Sequence, residues 1–129
     1  MPDKKKLGLP LAVVIVDQVF KAWLMQSGRG VLNQGGVWGL LPGYGWVVVT
    51  GMVWLLLVYY YLRASGKYRW GWGLIVGAGL TNLIDRLMFG AVRDFIYYPI
   101  LNVYGNIADI ILGVGVGGII WQWRHKDNR

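Results

Sequence analysis

The sequence predicts an all-α membrane protein: four transmembrane helices with a small extracytoplasmic β-like cap. Three observations lead to this. The 129 residues are 56% hydrophobic and only 15% charged, whereas a soluble domain carries about 25% charged residues. Four apolar stretches approach the length of about 20 helical residues needed to cross a hydrocarbon core of ~30 Å. None of the four shows the two-residue alternation of a membrane β-barrel strand. The length suits one domain, so residues 1–129 are read as a single membrane-embedded unit.

The first span, 7–26, is apolar from Leu7 to Met25. Lys4, Lys5 and Lys6 ahead of it resemble the start of a secretory signal peptide. Asp17 and Lys21 interrupt the run, however, and no small-residue cleavage pattern follows, so this span is expected to stay attached. The segment from Gly28 to Gly45 mixes Asn33, Gly35, Gly36, Trp38, Pro42 and Gly43 with Val31, Leu32 and Val37. Turn formers interleaved with β-formers predict short strands or a folded cap there. The second span, 46–63, has no charge from Trp46 to Leu62. The third, 70–87, is apolar from Trp70 to Ile84 and reaches Leu87 only by including Asp85 and Arg86. The fourth, 106–123, carries Asp109 near its start and is apolar afterwards. Gly73 and Gly77, like Gly113 and Gly117, are four apart, and each pair is expected to bring a neighbouring helix close.

Charge placement orients the spans. Lys4, Lys5, Lys6, Arg63, Lys67, Arg69, Arg124, Lys126 and Arg129 fall on one side, against Arg29, Arg86 and Arg93 on the other. The positive-inside rule then puts both termini in the cytoplasm and the segments 27–45 and 85–105 outside. The net charge of +7 follows from this topology and does not indicate nucleic-acid binding. With no cysteine and one histidine, His125, in a charged tail, thiol nucleophiles, His-based triads and Cys or multi-His metal sites drop out. No P-loop or Gly-x-Gly-x-x-Gly stands in the sequence, and no cofactor is expected.

Ionisable groups within spans are functional candidates by default. Asp17 and Lys21 are spaced i, i+4 with the acid first, the favourable order for an ion pair, so they neutralise one another or a third group on another span. Asp85 and Arg86 are adjacent and point apart, so each needs its own partner. Asp94 and Asp109 fall at about the same depth near the outer surface, on a connection short enough for their carboxylates to meet. Two such groups at one site cannot both ionise readily, and together they supply a general base and a general acid. The bland alternative is a pair of solvated interfacial charges. Asn33, Asn82 and Asn106 fall at the same level; an amide holds a peptide backbone or an oxyanion, or merely caps a helix.

Taken together these residues resemble the lipoprotein signal peptidase (signal peptidase II) family, bacterial aspartic membrane peptidases. Asp17-Gln18-x-x-Lys21 is similar to the family's first-helix motif, and Asn33-Gln34-Gly35-Gly36-Val37-Trp38 to its Asn-x-Gly-x-Ala-Phe segment, with Trp38 in place of Phe. Asn82-Leu83-Ile84-Asp85-Arg86, with Gly90-x-x-x-Asp94-Phe95-Ile96 after it, resembles the third block, and Asn106-Ile107-Ala108-Asp109 the fourth. The resemblance implies Asp94 and Asp109 as the catalytic pair. It implies supporting or substrate-contacting roles for Asn33, Asn82, Arg86, Asn106, Asp17 and Lys21, and a structural role for Asp85. The implied substrate is a diacylglyceryl-modified prolipoprotein, cut before its lipid-bearing cysteine at the outer face of the bacterial inner membrane. Membrane lipids and a globomycin-type inhibitor are the other implied partners.

Two departures bear on the site. The stretch between Lys21 and Asn33 is short for the family, and Gly105 stands where an aromatic precedes the fourth motif. Pro99-Ile100-Leu101-Asn102 looks like a displaced copy of the family's Pro-x-Phe-Asn, leaving Asn102 and Asn106 as alternatives for substrate contact. From the residues alone, a small transporter or proton relay explains acids inside spans but not their outer clustering with three asparagines. A structural assembly subunit leaves the aspartates unexplained.

Overall fold

The computed structural model describes residues 6–34 and 44–126. In chain order the elements are α1 (Gly8–Gln26), β1 (Val31–Asn33), α2 (Tyr44–Arg63), α3 (Arg69–Phe89), β2 (Val92–Asp94), β3 (Ile96–Tyr98), β4 (Val103–Gly105) and α4 (Ile107–Arg124). Gly35, Gly36, Trp38, Pro42 and Gly43 of the expected cap, with Lys4, Lys5 and Arg129, lie outside the described residues.

The inward stripe of α1 is Pro10, Val13, Asp17, Lys21 and Leu24, spaced by threes and fours so that one helix face is buried. Proline is tolerated at Pro10 because the first turn has no partner for its missing N–H. The helix ends in a Schellman turn at Gly28, whose φ is +69°. The Gly28 N–H donates to Met25 O and the Arg29 N–H to Leu24 O, both at 3.1 Å. Of α2 only Tyr61 is fully buried, its hydroxyl donating to the carbonyl of Lys6; one face packs on α3, where Trp54 Nε1 donates to the Val76 carbonyl at 3.0 Å, and the remaining face is an exposed apolar surface.

α1, α2 and α4 are each long and apolar enough to cross a membrane. α3 is the central helix and packs against all three. It surrenders hydropathy to glycine and polar residues because its neighbours, rather than lipid, cover it. A methyl on Gly77 would lie 2.9 Å from the Pro10 carbonyl oxygen and 2.8 Å from Val13 Cβ, and one on Gly73 3.1 Å from Leu9. The Gly73–Gly77 face is thus the α1 contact, as its spacing predicts. The Gly113–Gly117 expectation fails: both positions face open space. α4 meets α3 through Gly115 instead, where a methyl would lie 2.7 Å from the Gly71 carbonyl oxygen. Four-residue spacing marks a stripe on a helix, but which stripe faces a neighbour is set by the packing angle.

Two small antiparallel sheets close the end of the bundle. β1 pairs with β2 in the register Val31↔Asp94 and Asn33↔Val92, which carries Asn33 to the side of Asp94. β3 and β4 form a hairpin with Ile96 opposite Gly105. The Phe95 N–H donates to the Gly105 carbonyl at 2.9 Å, so the hairpin returns the chain to the level at which it left. Asp94 just before it and Asn106 just after it thereby become neighbours.

Candidate active site

Asn106 joins the two carboxylates. It is the N-cap of α4, and with Asp109 at the third helical position it forms a reciprocal capping box. The Asn106 N–H donates to Asp109 Oδ2 (2.9 Å), and the Asp109 N–H donates to Asn106 Oδ1 (3.2 Å). The same side chain's Nδ2 donates to Asp94 Oδ1 at 2.7 Å and to Asn82 Oδ1 at 3.1 Å. Asn33 Nδ2 donates to the other Asp94 oxygen at 3.0 Å, and Asn82 Nδ2 to Asp109 Oδ1 at 3.4 Å. Three asparagines from β1, α3 and α4 therefore hold two aspartates, one on a strand and one on a helix. Between the alternatives left open by the sequence, Asn106 is the one at the carboxylates. Asn102 sits in the hairpin turn at φ +51° and accepts from the Tyr97 hydroxyl at 2.7 Å.

Asp94 is 3% exposed, and this burial pushes its carboxyl up to about 6. The charge of Asp109 adds to the rise, while the Asn33 and Asn106 amides pull against it. A carboxyl in this range exchanges protons near neutrality, the working range of a general acid or base. Both aspartates line a cavity of ≈ 440 Å³ with Asn33, Asn82 and Arg86. Arg86 and Trp46 line the same wall, and Arg86 Nε and Trp46 Nε1 are buried without a hydrogen-bond partner among the described residues. Arg86 lies 5.9 Å from the Trp46 ring centre. Among the described residues no group of three or more acidic or histidine side chains is arranged to hold a metal ion.

Behind the pair lies a buried charge cluster. Lys21 Nζ meets Asp17 Oδ2 at 2.7 Å and Asp85 Oδ2 at 3.1 Å, all three residues being fully buried. Arg93 forks onto Asp85, with Nη2 to Oδ1 at 2.8 Å and Nε to Oδ2 at 3.3 Å. Two acids and two bases cancel, and Gln18 and Thr81 fill the remaining positions. Gln18 Nε2 donates to Asp85 Oδ1 (2.9 Å) and the Thr81 hydroxyl to Asp17 Oδ2 (2.6 Å). Asp17 Oδ1 also accepts the Ala108 N–H at 3.2 Å, satisfying a free donor of the first turn of α4 and fixing the helix that carries Asp109. Asp17 and Lys21 do pair with one another and also with a third group, so both readings of their spacing hold. Asp85 and Arg86 do part, Asp85 to this cluster and Arg86 to the cavity.

Sequence reasoning missed Arg93, Thr81 and Tyr98. Arg93, one of the three cations that charge placement puts on the outer side, is neutralised by Asp85 eight residues back across the Gly90 turn. Thr81, one turn before Asp85, could have been found by asking which hydroxyl shares the Asp85 face of α3. Tyr98 explains Gly105: a methyl on Gly105 would lie 2.6 Å from the Tyr98 ring and 2.7 Å from Asp109 Oδ2. The aromatic missing from the position before Asn106 is thus supplied across the hairpin. Burial raises the Tyr98 phenol above its usual range, and the Asp109 and Asp94 charges add to this. Gly105→Ala is expected to displace Asp109, and a shift of order 1 Å suffices for a 10–100-fold loss of any activity that uses its carboxylate. Its melting temperature in detergent should stay near that of wild type, and wild-type turnover would contradict the placement.

A helical bundle with apolar outer faces, closed at one end around a pair of buried carboxylates, defines the class: a membrane-embedded protein with an acid pair at a cavity. Comparison with known proteins narrows the class. The family model described as signal peptidase (SPase) II matches residues 9–124. Lipoprotein signal peptidase of Halothermothrix orenii is 35% identical over 134 residues, spanning 87% of this chain and 92% of the relative. The Bacillus subtilis lipoprotein signal peptidase is 37% identical over 120 residues, 87% of this chain and 74% of the relative. A bacterial membrane enzyme solved in meso at 2.3 Å superposes with a TM-score of 0.77 and 27% identity, over 97% of this chain and 91% of the other. The chain belongs to the signal peptidase II family and is an aspartic peptidase that hydrolyses signal peptides. It is a multi-pass protein of a bacterial membrane, and the transporter reading falls away.

Proposed function

We propose that Asp94 and Asp109 are the catalytic pair of a peptidase that removes signal peptides from diacylglyceryl-modified prolipoproteins, cutting before the lipidated cysteine. The observation that carries this is Asn106, which hydrogen-bonds both carboxylates at the wall of a cavity large enough for an extended peptide. The ionised aspartate takes a proton from water as the water oxygen bonds to the scissile carbonyl carbon. The protonated aspartate gives its proton to the carbonyl oxygen. On collapse the C–N bond breaks: the first aspartate returns its proton to the leaving nitrogen, and the second recovers one from the hydroxyl that becomes the new carbonyl. The pair is left with its one shared proton.

Asn33 and Arg86 hold the peptide backbone, Arg86 Nε having no hydrogen-bond partner among the described residues. Asn82 and Asn106 hold the pair, Asp17 and Lys21 support it, and Asp85 is structural. The lipid chains stay in the bilayer, which avoids exposing them to water at ~0.8 kcal/mol per CH₂. α3 spans the membrane with the other three helices. Both termini are cytoplasmic and the carboxylate end faces outward, in keeping with the cations at Arg63, Lys67, Arg69, Arg124 and Lys126 on the opposite end. A globomycin-type inhibitor would occupy the same cavity. The test is a gel-shift assay with purified protein on one prolipoprotein in diacylglyceryl-modified and unmodified forms. Cleavage at the cysteine of the modified form is expected, at least ~10-fold faster than of the unmodified one. Equal rates would show that the lipid is not read.

A further inference from the structure

The ammonium of Lys21 has three donors and three acceptors: Asp17 Oδ2 at 2.7 Å, Asp85 Oδ2 at 3.1 Å and Asn82 Oδ1 at 3.0 Å. The third contact orients a group that also touches the carboxylate pair. An ammonium can only donate, so the Asn82 amide must present its oxygen to Lys21 and its NH₂ to the other side. That other side is Asp109 Oδ1, at 3.4 Å. The Asn106 amide, itself committed to Asp94, supports the same orientation by donating to Asn82 Oδ1 at 3.1 Å. The buried cation thus reaches Asp109 through one amide, Asn82, and reaches Asp94 only through its longer-range charge and a second amide, Asn106.

We propose that Lys21 is a positioning residue that acts through Asn82 to sort the pair, making Asp109 the ionised partner and Asp94 the one that carries the proton. The inference rests on the reading of Asp94 and Asp109 as catalytic. Asp109 has further support for a negative charge, being in the first turn of α4 and accepting the Asn106 N–H at 2.9 Å. Asp94 sits on a strand without a helix end and is held near 6 by burial. The other charged or titratable groups facing Asp109 are Asp17 from α1, Arg86 from α3, Asp94 from β2 and Tyr98 from β3.

The test is the pH dependence of kcat/KM on a diacylglyceryl-modified prolipoprotein, with thermal melts in detergent alongside. Asn82→Leu should move the acid limb up by about one pH unit. The charge-balanced pair Asp17→Asn/Lys21→Met should move it in the same direction, because the removed charges offset each other in their direct field and what remains is the loosened amide. Once Asn82→Leu is in place, adding that pair should produce no further movement. Lys21→Arg, which keeps the charge and the donors, should leave the limb at its wild-type position. Asn33→Leu, whose amide touches only Asp94, should move the alkaline limb instead. An unmoved acid limb in folded Asp17→Asn/Lys21→Met, or an equal shift with and without Asn82, overturns the relay. If that pair does not fold, Asn82→Leu decides alone, and an unmoved limb overturns it. A reversed pattern for Asn82 and Asn33 overturns the assignment of the proton. These failures would leave Asp94→Asn and Asp109→Asn inactive, whereas retained cleavage in those two would remove the catalytic pair itself.

Discussion

Asp94→Asn and Asp109→Asn are each expected to lower cleavage of a lipid-modified prolipoprotein by ~10³–10⁴-fold, with the fold intact. General acid and base catalysis contribute factors of about 10²–10⁴, and each variant removes one side of a proton exchange that the other cannot complete alone. For the same reason the double variant should be no slower than either single one by more than a few-fold. Neither Asn33 nor Asn82 can supply the missing proton. The fold should survive because an asparagine keeps one acceptor for the amides that face it, and melting in detergent checks this. Cleavage at even a tenth of the wild-type rate by either folded variant would sink the two-carboxylate mechanism.

A second readout of the same variants concerns pH. Folding moves the Asp94 carboxyl from 3.8 up to about 6, chiefly by burial. The folded protein therefore binds this proton more tightly than the unfolded chain. The stability so gained is fully present below the unfolded value near 3.8 and is lost as pH rises through about 6. The shift of about two units corresponds to ~3 kcal/mol. Relative to Asp94→Asn, which cannot ionise, wild type should thus lose stability between pH 4 and 7. A constant difference in melting temperature across that range would contradict the burial of the carboxylate.

Asp85→Ala should be the most disruptive change to the fold. Asp85 accepts from Gln18 Nε2, Lys21 Nζ and the Arg93 backbone N–H, and it receives the Arg93 fork. Its removal leaves two cations in the bundle with one carboxylate, Asp17, between them. Leaving a buried charge unpaired costs ~3–5 kcal/mol. The expected result is an aggregated or poorly accumulating protein by size-exclusion chromatography, with melting temperature and activity falling together. That pattern separates Asp85 from Asp94 and Asp109, whose asparagine variants lose activity at a nearly unchanged melting temperature. A monodisperse Asp85→Ala protein of wild-type stability would show that the cluster is not needed for folding.

Family membership and the spacing of Asp17, Lys21, Asn33, Asn82, Asp94, Asn106 and Asp109 were legible in the chain because each stands in a short motif on a predictable helix or loop. The four helices were legible because apolar length is a local property. Less so was the division of labour among the six aspartates. Asp85 and Asp94 are nine residues apart and chemically identical, yet one neutralises two cations while the other faces a cavity across the Gly90 turn. Arg93, next to Asp94 in sequence, belongs to the other group because β2 turns successive side chains to opposite faces.

The amino-acid order alone set the helices, the charge asymmetry between their ends, and the grouping of acids with amides at one end, since hydropathy, net charge and motif spacing are read along one dimension. Tertiary structure decided which groups meet. It chose Gly115 over Gly113 and Gly117 at the α3–α4 contact, Asn106 over Asn102 at the carboxylates, and Tyr98 to cover the space left by Gly105. It also closed Lys21 onto Asn82, 61 residues away. In each case the physical reason is the same: a buried polar group or a close backbone approach is satisfied by whichever partner the packing brings within about 3 Å, and that depends on helix rotation and strand register rather than on distance along the chain.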